Sequence, residues 1–135
     1  MQYNIQSLLY RKDELNAFNL LAEIRYLINI FPAWMEKKEC WIVAHPSEKM
    51  VAFDADGCTN EVLIYVQCLI DNNKPIYLVF ADEREDGNDI TILYKNTPAI
   101  SDDRYILSVT MKSLSSNKMY NDFIRVLEEM VKYNG

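Results

Sequence analysis

The segment 82–89 concentrates negative charge, with five carboxylates and one arginine in eight residues. The carboxylates belong to Asp82, Glu83, Glu85, Asp86 and Asp89. Such a segment can dock on a basic surface by imitating the spacing of phosphates, which raises the rate and specificity of association more than the affinity. Asp102 and Asp103 extend this patch if the two loops lie at the same edge. A hairpin loop that carries charge only for solubility has the same composition, so that alternative stays open.

A second acidic pair, Asp54 and Asp56, follows an apolar run and precedes Gly57 and Thr59. This pattern resembles the first motif of the haloacid-dehalogenase-type phosphotransferases, an apolar strand followed by Asp-x-Asp-Gly-Thr and a helix. The resemblance implies a parallel sheet, Asp54 as the nucleophile, Asp56 as the general acid and magnesium alongside. In this chain Cys58 is inserted before the threonine. Because Asp and Gly also form ordinary turns, we favour a turn and keep the phosphotransferase as a second alternative.

Other residue types that support catalysis are scarce, with three glycines, three cysteines and the single histidine His45. Phosphate-binding loops need several glycines, and histidine-based metal sites need more than one imidazole. Cys40, Cys58 and Cys68 are odd in number and their spacings match no zinc pattern, which predicts reduced and buried thiols. We therefore expect no enzyme, and no catalytic, cofactor-binding or metal-binding residue.

The overall charge indicates which partners to expect. The net charge is −6, with 20 acidic and 14 basic residues, and a surface of this kind repels nucleic acid and anionic membrane. A basic protein partner is instead steered toward it. Trp34 and Trp41 lie close in sequence, and tryptophan is enriched at interface hot spots. No signal peptide or long apolar run is evident, which predicts a cytoplasmic protein.

Helical spacing predicts a helix near each end of the chain. The first covers residues 13–31, with Asp13 as its cap and Pro32 at its end, and the last starts at Ser115 or Ser116 and ends at Gly135. Their predicted apolar stripes are Ala17, Leu20, Leu21, Ile24, Ile28 and Phe31, and Met119, Tyr120, Phe123, Leu127, Met130 and Val131.

Residues 59–71 fit either a strand or a helix. Several β-branched residues favour a strand, whereas Asn60, Gln67 and Asp71 form one polar stripe at helical spacing. We prefer the helix.

The remaining apolar segments predict strands. Residues 40–45 and 50–54 form a hairpin, and 76–81, 89–95 and 104–112 follow as a meander, in which the apolar run 76–81 is suited to a central strand of the sheet. The alternation in the last two strands predicts one packed face and one solvated face. The side chains expected on the packed face are Ile90, Ile92, Tyr94, Tyr105, Leu107, Val109 and Met111.

Together these elements predict a single α+β domain over residues 1–135, with a mainly antiparallel sheet of about five strands packed against N-terminal, middle and C-terminal helices. The predicted function is that of an interaction protein, monomeric or homodimeric, that neutralises a basic protein partner. Bacterial immunity proteins against nuclease-like toxins act in this way. The predicted contact residues are those of 82–89 with Asp102, Asp103, Trp34 and Trp41. The alternative is an acidic dimeric secretion chaperone, with the meander supplying an edge or dimer face.

Overall fold

A seven-stranded antiparallel sheet dominates the described part of the chain. The computed structural model describes residues 3–29, 40–44, 48–54, 56–82, 90–96, 103–111, 121, 124–129 and 132. The strands are β1 (Tyr3–Tyr10), β2 (Cys40–Ala44), β3 (Glu48–Asp54), β4 (Gly57–Cys58), β5 (Ile76–Asp82), β6 (Ile90–Asn96) and β7 (Arg104–Met111). Their order across the sheet is β1-β7-β6-β5-β2-β3-β4, and every neighbouring pair is antiparallel.

The α+β class and all five predicted strands are confirmed, with β5 at the centre of the sheet. The expected number of strands was too low because β1 and the two-residue β4 were not predicted. β1 pairs with β7, about a hundred residues further along the chain, for example Asn4 with Thr110. Its alternation is also weak, because Leu8 and Tyr10 place apolar side chains on the solvated face. No local sequence signal therefore marks β1 as a strand.

Side-chain caps define where two of the helices begin. Helix α1 covers Ala17–Ile28, and its cap is Asn16, whose Oδ1 accepts a 2.7 Å hydrogen bond from the Asn19 backbone N–H. The predicted start at Asp13 was therefore too early. Helix α2 covers Asn60–Asp71 and is capped by Thr59, which confirms the helix rather than the strand for this segment.

The C-terminal helix is confirmed at residues 124–129, which we call α3. Its predicted apolar stripe is wrong at one position, because Val126 is buried while Leu127 is 38% exposed. The hydroxyl of Tyr26 donates to Glu129, which ties α3 to α1. The other residues of that stripe, Phe31, Pro32, both predicted serine caps and Gly135 lie outside the described residues.

The core lies between one face of the sheet and the helices. Successive side chains of a strand point to opposite faces, so alternate residues of β5, β6 and β7 meet the helices. The predicted packed face is confirmed at Ile92, Tyr94, Tyr105, Leu107 and Val109, all of them buried. The helix side chains that cover this face are Leu20, Leu21, Ile24, Leu27 and Ile28 of α1, Val62 and Val66 of α2, and Val126 of α3.

Candidate protein-binding surface

Helices α1 and α2 meet at a side chain that caps one of them. Gln67 of α2 accepts a 2.9 Å hydrogen bond at Oε1 from the backbone N–H of Ala17, the first residue of α1. Its Nε2 donates to Asp71 Oδ1, also at 2.9 Å. The first N–H groups of a helix have no partner within the helix, so this bond satisfies one of them. It also fixes how closely α2 approaches the start of α1.

An open groove lies between the two helices at this point. It encloses about 320 Å³ and is lined by Asn16, Ala17, Phe18, Leu63, Ile64 and Gln67. Phe18 is 72% exposed and Ile64 is 70% exposed. Covering a side chain of this size is favourable by about 2 kcal/mol. Two such residues on either side of one groove form the kind of apolar patch that marks an interaction surface.

The charged residues near the groove are mostly acidic. Helix α2 carries Glu61 and Asp71, both exposed, and its sequence contains no lysine or arginine. Asp13 and Glu14 precede α1 and are exposed, with Lys12 as the neighbouring cation. Because these charges sit at the surface, they act mainly on the approach of a partner and weaken as salt is added. The groove therefore combines an apolar lining with negative charge nearby.

A second group of polar residues is buried where α1 crosses β6 and β7. Tyr105 Oη lies 2.5 and 2.7 Å from the two carboxylate oxygens of the buried Glu23. Arg11 donates from Nη1 to Tyr94 Oη at 2.8 Å, and its guanidinium lies 5.1 Å from the centre of the Tyr105 ring. The rings of Tyr94 and Tyr105 stack with their centres 4.9 Å apart.

This Arg11–Glu23–Tyr94–Tyr105 cluster connects the end of β1 to α1 and the sheet. Burial raises the pKa of Tyr94 to about 12, although the neighbouring Arg11 lowers it. A phenol with that pKa stays protonated at neutral pH. The small, partly open pocket beside the cluster is about 30 Å³, the size of one water molecule. We assign the cluster a structural role. Sequence reasoning missed it, although Glu23 as a lone charge within the apolar stripe of α1 was a usable signal.

The motif around Asp54 forms a turn. Asp54 Oδ1 accepts hydrogen bonds from the backbone N–H groups of Asp56 and Gly57, at 2.9 and 3.1 Å. Gly57 has φ +127°, and a Cβ atom there would lie 2.4 Å from Arg25 Nη1. Thr59 Oγ1 donates to the Val51 carbonyl at 2.7 Å and also caps α2. The Asp54 carboxylate and the Thr59 hydroxyl thus shape the backbone of this turn.

The fold implied by the phosphotransferase resemblance is wrong, because the strands around this turn are antiparallel rather than parallel. Within the described ranges, no three His, Cys, Asp or Glu side chains come together as metal ligands. Cys58 and Cys68 are free thiols, as predicted. The predicted burial is wrong, since Cys58 is half-buried and Cys68 is exposed. Burial raises the pKa of the Cys58 thiol, while the charge of Arg25 lowers it.

Asp82 and Asp103, the two acidic residues of the predicted patch that the structure describes, lie at opposite ends of the sheet. Asp82 ends β5 and Ile90 begins β6, so residues 83–89 connect the two strands at one end of the sheet. The exposed Asp103 precedes β7 at the opposite end, about 20 Å away along the seven residues of β6. Asp103 is therefore not at the same edge as Asp82, contrary to the expectation for that residue.

The backbone of one predicted tryptophan lies close to Asp82. The backbone of Trp41 pairs with Ala81, next to the pair formed by Cys40 and Asp82. The remaining predicted contact residues, Trp34, Glu83, Glu85, Asp86, Asp89 and Asp102, lie outside the described residues, as does His45. The groove residues Phe18 and Ile64 were not predicted as contacts. Phe18 directly follows Ala17 of the predicted stripe, and Ile64 lies on the polar stripe of α2, so each breaks a pattern that could have revealed it.

Comparisons with protein-family models, with curated proteins and with solved structures found no match to this chain. Its class is therefore defined by fold and surface: a single α+β domain that presents an apolar, acid-flanked groove between two helices. In the part of the chain that the structure describes, none of the helices has the length and apolar character needed to span a bilayer.

Proposed function

We propose that this chain is a cytoplasmic binding protein that neutralises a basic protein partner, in the manner of bacterial immunity proteins against nuclease-like toxins. The observation that carries the proposal is the pair Phe18 and Ile64, 72% and 70% exposed across one groove in a chain of net charge −6. Large apolar side chains that are exposed next to acidic residues are expected to be covered by a partner when the protein functions.

Binding would combine one apolar anchor with peripheral charge pairs. An apolar side chain of the partner enters the groove between Phe18 and Ile64, and basic residues around it approach Glu61 and Asp71. The apolar contact supplies most of the affinity, because exposed ion pairs contribute little net free energy. The charges supply speed and selectivity.

The partner is neutralised if this chain covers the surface with which the partner binds its own substrate. A nuclease-like toxin binds its substrate through clustered Lys and Arg, and an acidic protein seated there excludes nucleic acid. The acidic segment 82–89, together with Trp34 and Trp41, remains a predicted second contact.

The experiment is a capture of partners from the native source with the tagged chain and with a Phe18→Ala/Ile64→Ala variant. Each substitution removes much of a buried contact and is expected to weaken binding about tenfold, so together about a hundredfold. Tyr77→Ala is the matched control, because Tyr77 is an exposed aromatic residue on β5, away from both helices.

The proposal predicts one basic protein, captured near equimolar by the wild type and the control and lost by the groove variant. The wild type and the Tyr77→Ala control should each suppress the toxicity of this partner, and the groove variant should not. Equal capture by all three chains would exclude the groove as the binding surface. Several secreted clients would instead indicate a secretion chaperone. The chaperone alternative predicted that the meander supplies an edge of the sheet. That prediction is wrong, since β5, β6 and β7 are all interior strands of the described sheet.

A further inference from the structure

The two edges of the sheet differ in how much backbone they expose. At one edge, β4 is two residues long and lies beside the turn formed by Asp54. At the other, β1 is eight residues long and pairs, among the described strands, with β7 alone. In a strand at an edge, alternate N–H and C=O groups point away from the sheet. β1 therefore offers a full-length template for another strand.

The sequence of β1 lacks the residue types that usually protect an edge strand. Natural edge strands carry charges, proline or a bulge that prevent pairing with another chain. The sequence of β1, YNIQSLLY, has no charged residue and no proline, and its register with β7 runs without a shift from Tyr3 to Tyr10. Leu8 and Tyr10 are 59% and 57% exposed on the solvated face. In a chain with 25% charged residues, an uncharged edge of this length is a distinctive surface.

We infer that β1 pairs antiparallel with β1 of a second copy of this chain, about a two-fold axis. Two copies that each carry a charge of −6 repel one another, so they are expected to meet where neither has a charged side chain. β1 meets that condition. A basic partner would instead be matched by carboxylates, which β1 does not contain. Cyclic two-fold symmetry is also the commonest arrangement of homo-oligomers.

Pairing of β1 with itself keeps the two faces of the sheet distinct. With Ser7 on the axis, Ile5 lies opposite Leu9 of the second copy on the helix-covered face, where both residues are already buried. On the solvated face Gln6 lies opposite Leu8 of the second copy. A shift by one residue would mix the faces, so the pattern restricts the register. The sheet would run continuously through both copies, and each copy would keep its own groove between α1 and α2.

The test combines sedimentation velocity over a wide concentration range with hydrogen exchange of the full chain. We expect a species of twice the 15.8 kDa chain mass at high concentration, and amide protection in β1 that falls as dilution separates the copies. Leu8→Glu adds like charges beside the axis and should raise the dissociation constant of the dimer at least about tenfold. Gln6→Glu is a second, milder variant at an exposed position.

Ile64→Glu is the matched control, because it makes the same charge change at an exposed apolar residue in the groove. It should leave the dimer unchanged and abolish partner capture. Leu8→Glu should weaken the dimer and leave partner capture unchanged. A monomer at every concentration would overturn the inference and leave the proposed function standing. A dimer that resists both β1 substitutions and shows no dilution-dependent protection in β1 would overturn it as well.

Discussion

The side-chain carbonyl of Gln67 lies 2.9 Å from the backbone nitrogen of Ala17, so a residue of α2 caps the first turn of α1. The same amide donates to Asp71, which fixes its orientation, with oxygen toward α1 and nitrogen toward the end of α2. Because Phe18 follows Ala17 directly and Leu63 and Ile64 lie one turn before Gln67, this bond sets the width of the groove. The helix contact and the candidate binding surface therefore depend on one side chain.

Replacing Gln67 with alanine should both destabilise the fold and disturb the groove. The substitution leaves the Ala17 N–H without its acceptor, and the loss of a helix cap costs about 1 kcal/mol. Urea denaturation would show a lower midpoint with an unchanged slope. Gln6→Ala, at an exposed glutamine of β1, should change the free energy of unfolding by less than about 0.5 kcal/mol. Equal stability of the Gln67 variant and the wild type would show that the cap contributes nothing.

The sequence predicted the elements whose partners are close in the chain and missed those that depend on distant contacts. The hairpin of β2 and β3 and the strands β5 to β7 follow one another in sequence, and periodicity revealed each of them. Predicting β1 requires knowledge of β7, and predicting the acceptor for the Ala17 N–H, which adds to the local cap Asn16, requires knowledge of Gln67, about fifty residues away. Local pattern cannot supply either fact.

The candidate surface was harder to predict than the fold for a related reason. An apolar residue is expected to be buried, so the only signal at Phe18 and Ile64 was that each interrupts the stripe pattern of its helix, and the packing of α1 against α2 leaves both exposed. The acidic segment 82–89 was visible from composition alone, yet the separation of Asp103 from it follows from strand direction. Composition predicts a partner's charge, whereas topology decides which charges act together.

The stability of the fold should fall at alkaline pH because of Tyr94. Its ordinary pKa is 10.0, and burial raises it to about 12 in the folded chain. Between these values the unfolded chain loses a proton that the folded chain keeps, so unfolding becomes easier as the pH rises. The stabilisation is fully present below pH 10 and is lost as the pH passes through about 12, with a total of up to about 3 kcal/mol.

The measurement for Tyr94 is a series of urea denaturations from neutral to alkaline pH on the wild type and on Tyr94→Phe. The variant lacks the titrating hydroxyl, so its stability should decline less steeply above pH 10, while the other tyrosines contribute equally to both chains. Parallel decline of the two chains would contradict the raised pKa.

Substitutions at Asp54 should separate a turn residue from a catalytic one. Asn keeps an oxygen that accepts from the N–H groups of Asp56 and Gly57, so Asp54→Asn should be close to the wild type in stability. Asp54→Ala removes both bonds and should cost about 1–2 kcal/mol. If Asp54 were a nucleophile, Asp54→Asn would abolish magnesium-dependent turnover of phosphate esters. We expect no such turnover in the wild type, and turnover that is lost in the Asn variant would revive the phosphotransferase.

Charge reversal beside the groove should slow partner association. Glu61 is exposed one turn before Ile64, so Glu61→Lys replaces attraction with repulsion for a basic partner approaching this site. We expect a lower association rate at low salt, a weaker dependence of that rate on salt, and a dissociation rate close to the wild type, because a charge at the rim acts before contact. Stopped-flow or surface-based kinetics with the captured partner would give both rates.

Glu128→Lys is the matched control for this prediction, since it makes the same change in net charge at an exposed residue of α3. If the partner were attracted only by the net charge, both variants would associate more slowly to the same extent, because each changes the total from −6 by the same amount. A groove-centred encounter would slow it mainly in Glu61→Lys, since screening limits the effect of a charge to about 8–10 Å at ordinary ionic strength. Equal rates for the two variants would therefore move the binding surface away from α2, and the acidic segment 82–89 would become the site to reverse next.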